Sequence, residues 1–349
     1  MIASAYPAAR VHGGPDDRGA PLHDFSSNSN ACGPCPQALH AVGQADASRY
    51  PDAGYTVLRR QLAAFHGVTV NRVVLAASAS EFIFRITALT AQRGRRAVCL
   101  PPHAYGDYAQ AAQAHGMVRV PDPGAAALCW ACDPSSPLGV THDGLGHLVD
   151  NAGASTTLVL DRAYEPLRLS GALALTDRQL QSVWQLWTPN KALGLTGVRA
   201  AYAIAPLESD DDVQAIDALC PSWPVGAHGV AMLQAWTQPD VQAWLAGSLD
   251  SLRTWKTRQV AMCESLGWTV LSSSANFFVC HTGLDPRSIT ASAHGLRIGS
   301  AMTNLRKAGI KLRDCTSFGL PGHVRLSVQS PAAQDALRAA WQHIIGGST

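Results

Sequence analysis

Residues 188–199, Thr-Pro-Asn-Lys-Ala-Leu-Gly-Leu-Thr-Gly-Val-Arg, place Lys191 in a small, turn-rich and nearly uncharged loop. An apolar run with Trp184, Leu186 and Trp187 precedes it, and Arg199 follows a short helical reach beyond. These neighbours predict a lysine held inside. A sheltered amine loses hydration and sheds its proton more readily, which suits attack on a carbonyl carbon. The plainer reading is a structural lysine in a glycine-containing loop. Two further groups favour chemistry. Asp161 ends the apolar run Thr157-Leu158-Val159-Leu160, so its carboxylate falls at a strand end. Ser78, Ala79 and Ser80 form a small polar turn between an apolar strand and a helix, where backbone amides and hydroxyls suit a phosphate. Amine, carboxylate and phosphate cradle together fit a carbonyl compound that carries a ring nitrogen and a phosphate.

The elements that must position these groups follow a regular rhythm. Helical patterns cover 37–44 and 56–66, with the turn Arg49-Tyr50-Pro51-Asp52-Ala53-Gly54-Tyr55 between them. From Val73 short apolar strands (73–75, 97–100, 118–120, 127–130, 157–160) alternate with helices (81–89, 105–115, 143–151). This alternation predicts an α/β fold: a large domain with a mostly parallel central sheet between helices. In such sheets ligands collect beyond the carboxyl ends of the strands, where Ser78–Ser80, the loop after Ala131, Asp161 and Lys191 all fall. Beyond Pro224 the pattern changes to helices (230–236, 241–265, 300–308, 332–345) with strands at 268–271, 277–280, 310–313 and 324–328. That predicts a smaller α+β domain. The domain reading is a flexible N-terminal arm over 1–23, a large cofactor domain over 45–222, and a small domain formed by 24–44 with 223–349.

The whole chain excludes several classes. Its 349 residues can bury a large core. With 27 Lys+Arg against 25 Asp+Glu and only 15% charged residues, nothing favours nucleic acid or an anionic membrane as partner. No apolar run is long enough to span a bilayer, and no basic-then-apolar leader opens the chain, so the expectation is a cytoplasmic protein. Two C-x-x-C pairs, Cys32/Cys35 and Cys129/Cys132, raise a dithiol or shared-zinc alternative. The first follows a polar segment and precedes Pro36, and the second lies at a strand end. The nine cysteines therefore read as reduced core thiols and no metal is expected.

Several strings carry a resemblance over nearly the whole chain, from about Asp24 onward. They are Thr188-Pro189-Asn190-Lys191 with Arg199, Asp161-Arg162-Ala163-Tyr164-Glu165, Arg49-Tyr50-Pro51-Asp52 with Gly54-Tyr55, and Arg313-Asp314-Cys315 through Phe318-Gly319-Leu320-Pro321-Gly322-His323-Val324-Arg325. The chain resembles the fold type I, class I/II aminotransferases, in the branch of histidinol-phosphate aminotransferases and threonine-phosphate decarboxylases. The resemblance implies a pyridoxal 5'-phosphate cofactor. Lys191 would be the Schiff-base lysine and proton shuttle, Asp161 the partner of the ring nitrogen, and Tyr164 a hydrogen-bond donor to the phenolic oxygen. Ser78, Ala79, Ser80, Thr188, Asn190 and Arg199 would cradle the phosphate. Tyr108 would stack on the ring, with Tyr105 as the fallback. Tyr55 would reach the phosphate of a neighbouring subunit, implying a homodimer. Arg325 would clamp a substrate carboxylate, with Arg313 and Asn30 as further substrate contacts.

The chain departs from the family pattern in ways that bear on the reaction. The loop Asn-Pro-x-Asn-Pro-x-Gly appears as Asp133-Pro134-Ser135-Ser136-Pro137-Leu138-Gly139, so the shorter Ser136 stands where an amide supports Tyr164. Ser78 replaces a glycine, and Asn190 a serine. The resemblance favours decarboxylation of L-threonine O-3-phosphate to aminopropanol phosphate, a step of cobalamin biosynthesis. A transaminase acting on histidinol phosphate or another amino acid is the alternative, and a non-catalytic cofactor-binding protein the remote one.

Overall fold

A computed structural model of the chain describes residues 12–153, 155–284 and 298–346. Residues 1–11 of the expected arm and 285–297 and 347–349 of the expected small domain lie outside the described residues. The chain forms two compact units. One comprises Ser29–Thr254 with Ser272–Asn276, and the other Met1–Asn28, Trp255–Leu271 and Phe277–Thr349. The larger unit thus takes in 29–44 and 223–254, which the sequence reading grouped with the small domain.

The large unit is built on a seven-stranded sheet in the order Val73–Ala76, Ala201–Ile204, Trp184–Trp187, Thr157–Asp161, Leu128–Cys132, Ala97–Cys99, Val118–Arg119. All neighbours run parallel except Ala201–Ile204, which is antiparallel to both of its own. Helices cover both faces, so the central strands are buried throughout rather than on alternate residues. The period of two still assigns each side chain to a face. Leu128, Trp130 and Val159 join Phe82, Ile83 and Ile86 of the helix Ala79–Gln92 and Ala111 of Gly106–Ala114 in one core cluster. Cys129, Ala131, Leu158 and Leu160 pack with Leu145 and Val183 in the other. The helix Ala79–Gln92 starts where Ser78 accepts a hydrogen bond from the Glu81 amide, a side-chain cap worth about 1 kcal/mol.

The smaller unit holds a four-stranded antiparallel sheet in the order Arg313–Asp314, His323–Ser327, Phe277–His281, Thr269–Val270. The helices Ile298–Lys307 and Pro331–Gly346 belong to the same unit. The segment 310–313, expected as one strand, divides. Ile310–Lys311 pairs in parallel with His23–Asp24, and Arg313 pairs with Arg325 in the four-stranded sheet. Part of the described N-terminal segment is anchored here, because Asp16 bridges Arg306 at 2.7 Å and Lys311 at 3.1 Å. Those cations hold the Asp16 carboxyl well below the usual carboxylate range. No helix among the described residues is long and apolar enough to cross a membrane. All nine cysteines are free thiols.

Candidate active site

In the large unit the carboxyl ends of neighbouring strands deliver the groups singled out above. The strand Thr157–Asp161 ends on Asp161, and the strand Trp184–Trp187 runs directly into the turn that carries Lys191. Lys191 Nζ lies 5.3 Å from the centroid of the Tyr164 ring. Its turn is closed by local bonds: Leu193 N–H to Pro189 C=O at 2.9 Å and Leu195 N–H to Asn190 C=O at 2.8 Å. Lys191 is half-buried, whereas Thr188, Asn190, Ala192 and Leu193 around it are buried. The expectation of a lysine held wholly inside is corrected to a sheltered turn with a partly open amine.

Asp161 is 4% exposed. One carboxylate oxygen accepts the Ala163 N–H at 2.9 Å and the other accepts the Tyr108 hydroxyl at 2.6 Å. Burial raises its pKa, and the Tyr108 hydroxyl, the Ala163 amide and the Lys191 charge oppose that rise.

Ser78, Ala79 and Ser80 are half-buried at the start of a 14-residue helix. The Ser80 and Tyr105 hydroxyls lie 3.3 Å apart. Thr188 donates its hydroxyl to the Asn190 side-chain oxygen at 2.9 Å, so Asn190 braces the turn from within. Ser136 is buried in the loop after Leu128–Cys132. Arg199 is exposed.

Three of the expected side chains have partners within the chain. Tyr108 is 1% exposed and stacks on Trp130 at 4.4 Å and 14°. It belongs to the first turn of Gly106–Ala114 and faces the sheet, whereas Tyr105 precedes that helix in extended backbone beside Ser80. Tyr55 is buried, and its hydroxyl donates to the Val225 carbonyl at 2.8 Å and accepts the Val225 N–H at 3.2 Å. A hydroxyl saturated within its own chain does not suit a neighbour's phosphate. Asn30 is likewise committed: its side-chain amide donates to Ala192 C=O at 3.0 Å and to the Ser248 hydroxyl at 2.8 Å, while its oxygen accepts the Cys32 N–H. These bonds brace the lysine turn.

Arg313 and Arg325 belong to the smaller unit. They are register partners on adjacent strands, both buried, and both lie over Phe318, at 4.8 Å and 5.6 Å. Burial lowers the Arg313 pKa, with the Arg325 charge adding to the effect.

Sequence reasoning missed Cys132 beside Tyr108 and Asp161, and the buried ion pair between Arg168 and Asp133.

The family model for aminotransferase class I and II matches residues 20–344. The chain belongs to this family. A histidinol-phosphate aminotransferase from Halorubrum lacusprofundi is 28% identical over 336 residues, covering 90% of this chain and 85% of that one. Among solved structures, the histidinol-phosphate aminotransferase of Sinorhizobium meliloti in complex with pyridoxal-5'-phosphate superposes with a TM-score of 0.76 at 21% identity, covering 93% of this chain and 90% of that chain. The L-threonine-O-3-phosphate decarboxylase of Porphyromonas gingivalis does so with a TM-score of 0.74 at 20% identity, covering 93% of this chain and 100% of that chain. At these identities the superpositions establish a shared fold.

The donor set of the large unit fits pyridoxal phosphate. A primary amine lies over an aromatic ring, a buried carboxylate has both oxygens held by donors, and a long helix opens on three small residues.

Proposed function

We propose that the protein is a pyridoxal-phosphate-dependent aminotransferase for a small phosphorylated amine or amino acid, with histidinol phosphate as the first candidate. The observation that carries the reading is the gathering of the Lys191 amine, the Tyr164 ring and the buried Asp161 carboxylate at the ends of adjacent strands. Two histidinol-phosphate aminotransferases that match 90% and 93% of the chain at 28% identity support the choice of substrate.

When bound, the cofactor supplies an electron sink that weakens bonds at the substrate α-carbon. The chain does the rest. Asp161 would pair with the ring nitrogen, Tyr164 would donate to the phenolic oxygen, and Tyr105 would cover the ring. Ser78, Ala79, Ser80, Thr188 and Arg199 would hold the phosphate through amides, hydroxyls and charge. Lys191 Nζ would hold the cofactor's carbonyl carbon and move a proton. Arg325 and Arg313 bind the substrate's anionic groups.

Decarboxylation of L-threonine O-3-phosphate is the second reading, favoured by two adjacent buried arginines suited to a substrate with both carboxylate and phosphate. A homodimer is part of the proposal. Tyr50, 77% exposed and stacked on Trp223 at 4.4 Å, takes over from Tyr55 as the tyrosine offered to a partner.

The test is to add pyridoxal phosphate and record the visible absorbance, then add substrates. Histidinol phosphate with 2-oxoglutarate is expected to turn over. Release of CO₂ from L-threonine phosphate without a keto-acid acceptor would establish the decarboxylase instead. Lys191→Ala is expected to abolish the protein-bound band while the protein stays folded. An unchanged spectrum in that variant would end the assignment.

A further inference from the structure

We propose that Tyr108 is the positioning residue of Asp161, its hydroxyl keeping that carboxylate ionised and fixed in orientation within the interior. The proposal rests on the reading of Asp161 as the partner of the cofactor's ring nitrogen.

The contact is short, 2.6 Å between oxygens, in the range of a charge-assisted O–H···O⁻ bond. Both partners are buried, so water does not compete with it. Tyr108 has little freedom to do anything else. Its ring is stacked on Trp130 and meets the Tyr105 ring edge-on at 5.9 Å, which fixes where the hydroxyl points. Burial and the neighbouring Asp161 charge hold the phenol far above its ordinary pKa, so it remains a donor.

Every titratable group facing Asp161 has a defined part. Tyr108 donates from the helix Gly106–Ala114. Lys191 acts through its charge from the turn after Trp184–Trp187. Cys132, at the end of the adjacent strand, is a buried thiol that donates to the Pro134 carbonyl at 3.3 Å and is held neutral by burial and the Asp161 charge. Of these side chains only Tyr108 gives Asp161 a hydrogen bond. The Ala163 amide occupies the other oxygen, so two donors fix the carboxylate plane.

A carboxylate in this setting is pulled in two directions. Desolvation favours its neutral form, in which it no longer pairs with a ring N–H as an anion. Removing the phenol would leave desolvation less opposed, and protonation of Asp161 would move to higher pH.

The test is the affinity of the cofactor-free protein for pyridoxal phosphate as a function of pH, read from the visible band. Its acid limb reports the protonation of Asp161 in the free protein. Tyr108→Phe keeps the stacked ring and is expected to move that limb upward by about one to two pH units, the equivalent of one hydrogen bond to a charged group. A uniform loss of affinity with an unmoved limb would mark Tyr108 as mere packing and overturn the proposal. 3-Fluorotyrosine at position 108 keeps the ring and the hydroxyl but makes the phenol a stronger donor, and its limb is expected to move downward. If Tyr108→Phe does not fold, an unmoved limb in the fluorinated protein overturns the proposal. Failure of the wild-type protein to develop a band is a different result, because it removes the cofactor reading itself.

Discussion

The guanidinium of Arg168 and the carboxylate of Asp133 face each other in the interior, the side chains 6% and 0% exposed. Arg168 also donates to Glu165 at 2.6 and 2.9 Å, and Asp133 accepts the His142 N–H at 3.0 Å. The loop that bears Ser136 is thereby fastened to the turn that bears Tyr164. Arg168→Met is expected to cost about 3–5 kcal/mol, because it strands a buried carboxylate. The double variant Asp133→Asn with Arg168→Met is expected to regain much of that loss. Urea denaturation of the single and double variants measures both. A double variant as unstable as the single one would show that the charge of Asp133 is irrelevant.

Tyr55→Phe separates a structural from a partner-directed hydroxyl. Loss of the bonds to Val225 is expected to lower stability by about 1 kcal/mol. Cofactor affinity is expected to stay at the wild-type value, since the hydroxyl is occupied within its own chain. A selective fall in affinity at high protein concentration would restore the role across subunits.

The pH dependence of stability has a contribution from His66. Its ring lies 4.9 Å from Trp187 and 2.9 Å from the Tyr202 hydroxyl, and burial, reinforced by the Arg162 charge, pushes its pKa down to about 4. The unfolded chain takes up this proton near pH 6.5 and the folded one near 4, so between those values the unfolded state binds more protons. Stability is full above 6.5 and falls with decreasing pH, by at most about 3 kcal/mol from this group. His66→Gln is expected to flatten that part of a pH-dependent denaturation curve. An identical slope would locate the acid sensitivity elsewhere.

Gly194→Ala tests the support of the lysine turn. The glycine has φ of +69°, and an added Cβ would lie 2.6 Å from the Gly33 carbonyl oxygen. Strain and clash together are expected to cost ~2 kcal/mol or more. Cofactor affinity is expected to fall with stability, because Lys191 belongs to the same turn. Calorimetry and a cofactor titration on one preparation check both.

Much of this molecule was legible in its residues, for reasons that also mark the limits. The helix Thr56–His66 and the strand Thr157–Asp161 stand out because apolar period and punctuation agree. The strand Ala201–Ile204 did not stand out. Its small Ala-Tyr-Ala-Ile sequence is buried from both sides and shows no alternation. Asp161 and the turn of Lys191 could be placed at neighbouring strand ends because the apolar runs before them are contiguous in sequence. The partners of Asn30, Tyr55 and Tyr108 were not legible, because residue type does not reveal which distant group claims a side chain. Arg168 and Asp133 lie 35 positions apart, and no local pattern joins them.

The turn around Lys191 is completed by a segment made much earlier. Asn30 N–H bonds to Lys191 C=O at 2.9 Å, Cys35 N–H to Leu193 C=O at 2.8 Å, and Gly33 presses against Gly194. Such contacts join segments more than 150 residues apart, so they exist only when the two segments have come together. A chain still emerging or half-collapsed therefore lacks the braced lysine. The setting of the amine is thus a property of the closed large unit, and no local segment of the chain carries it alone.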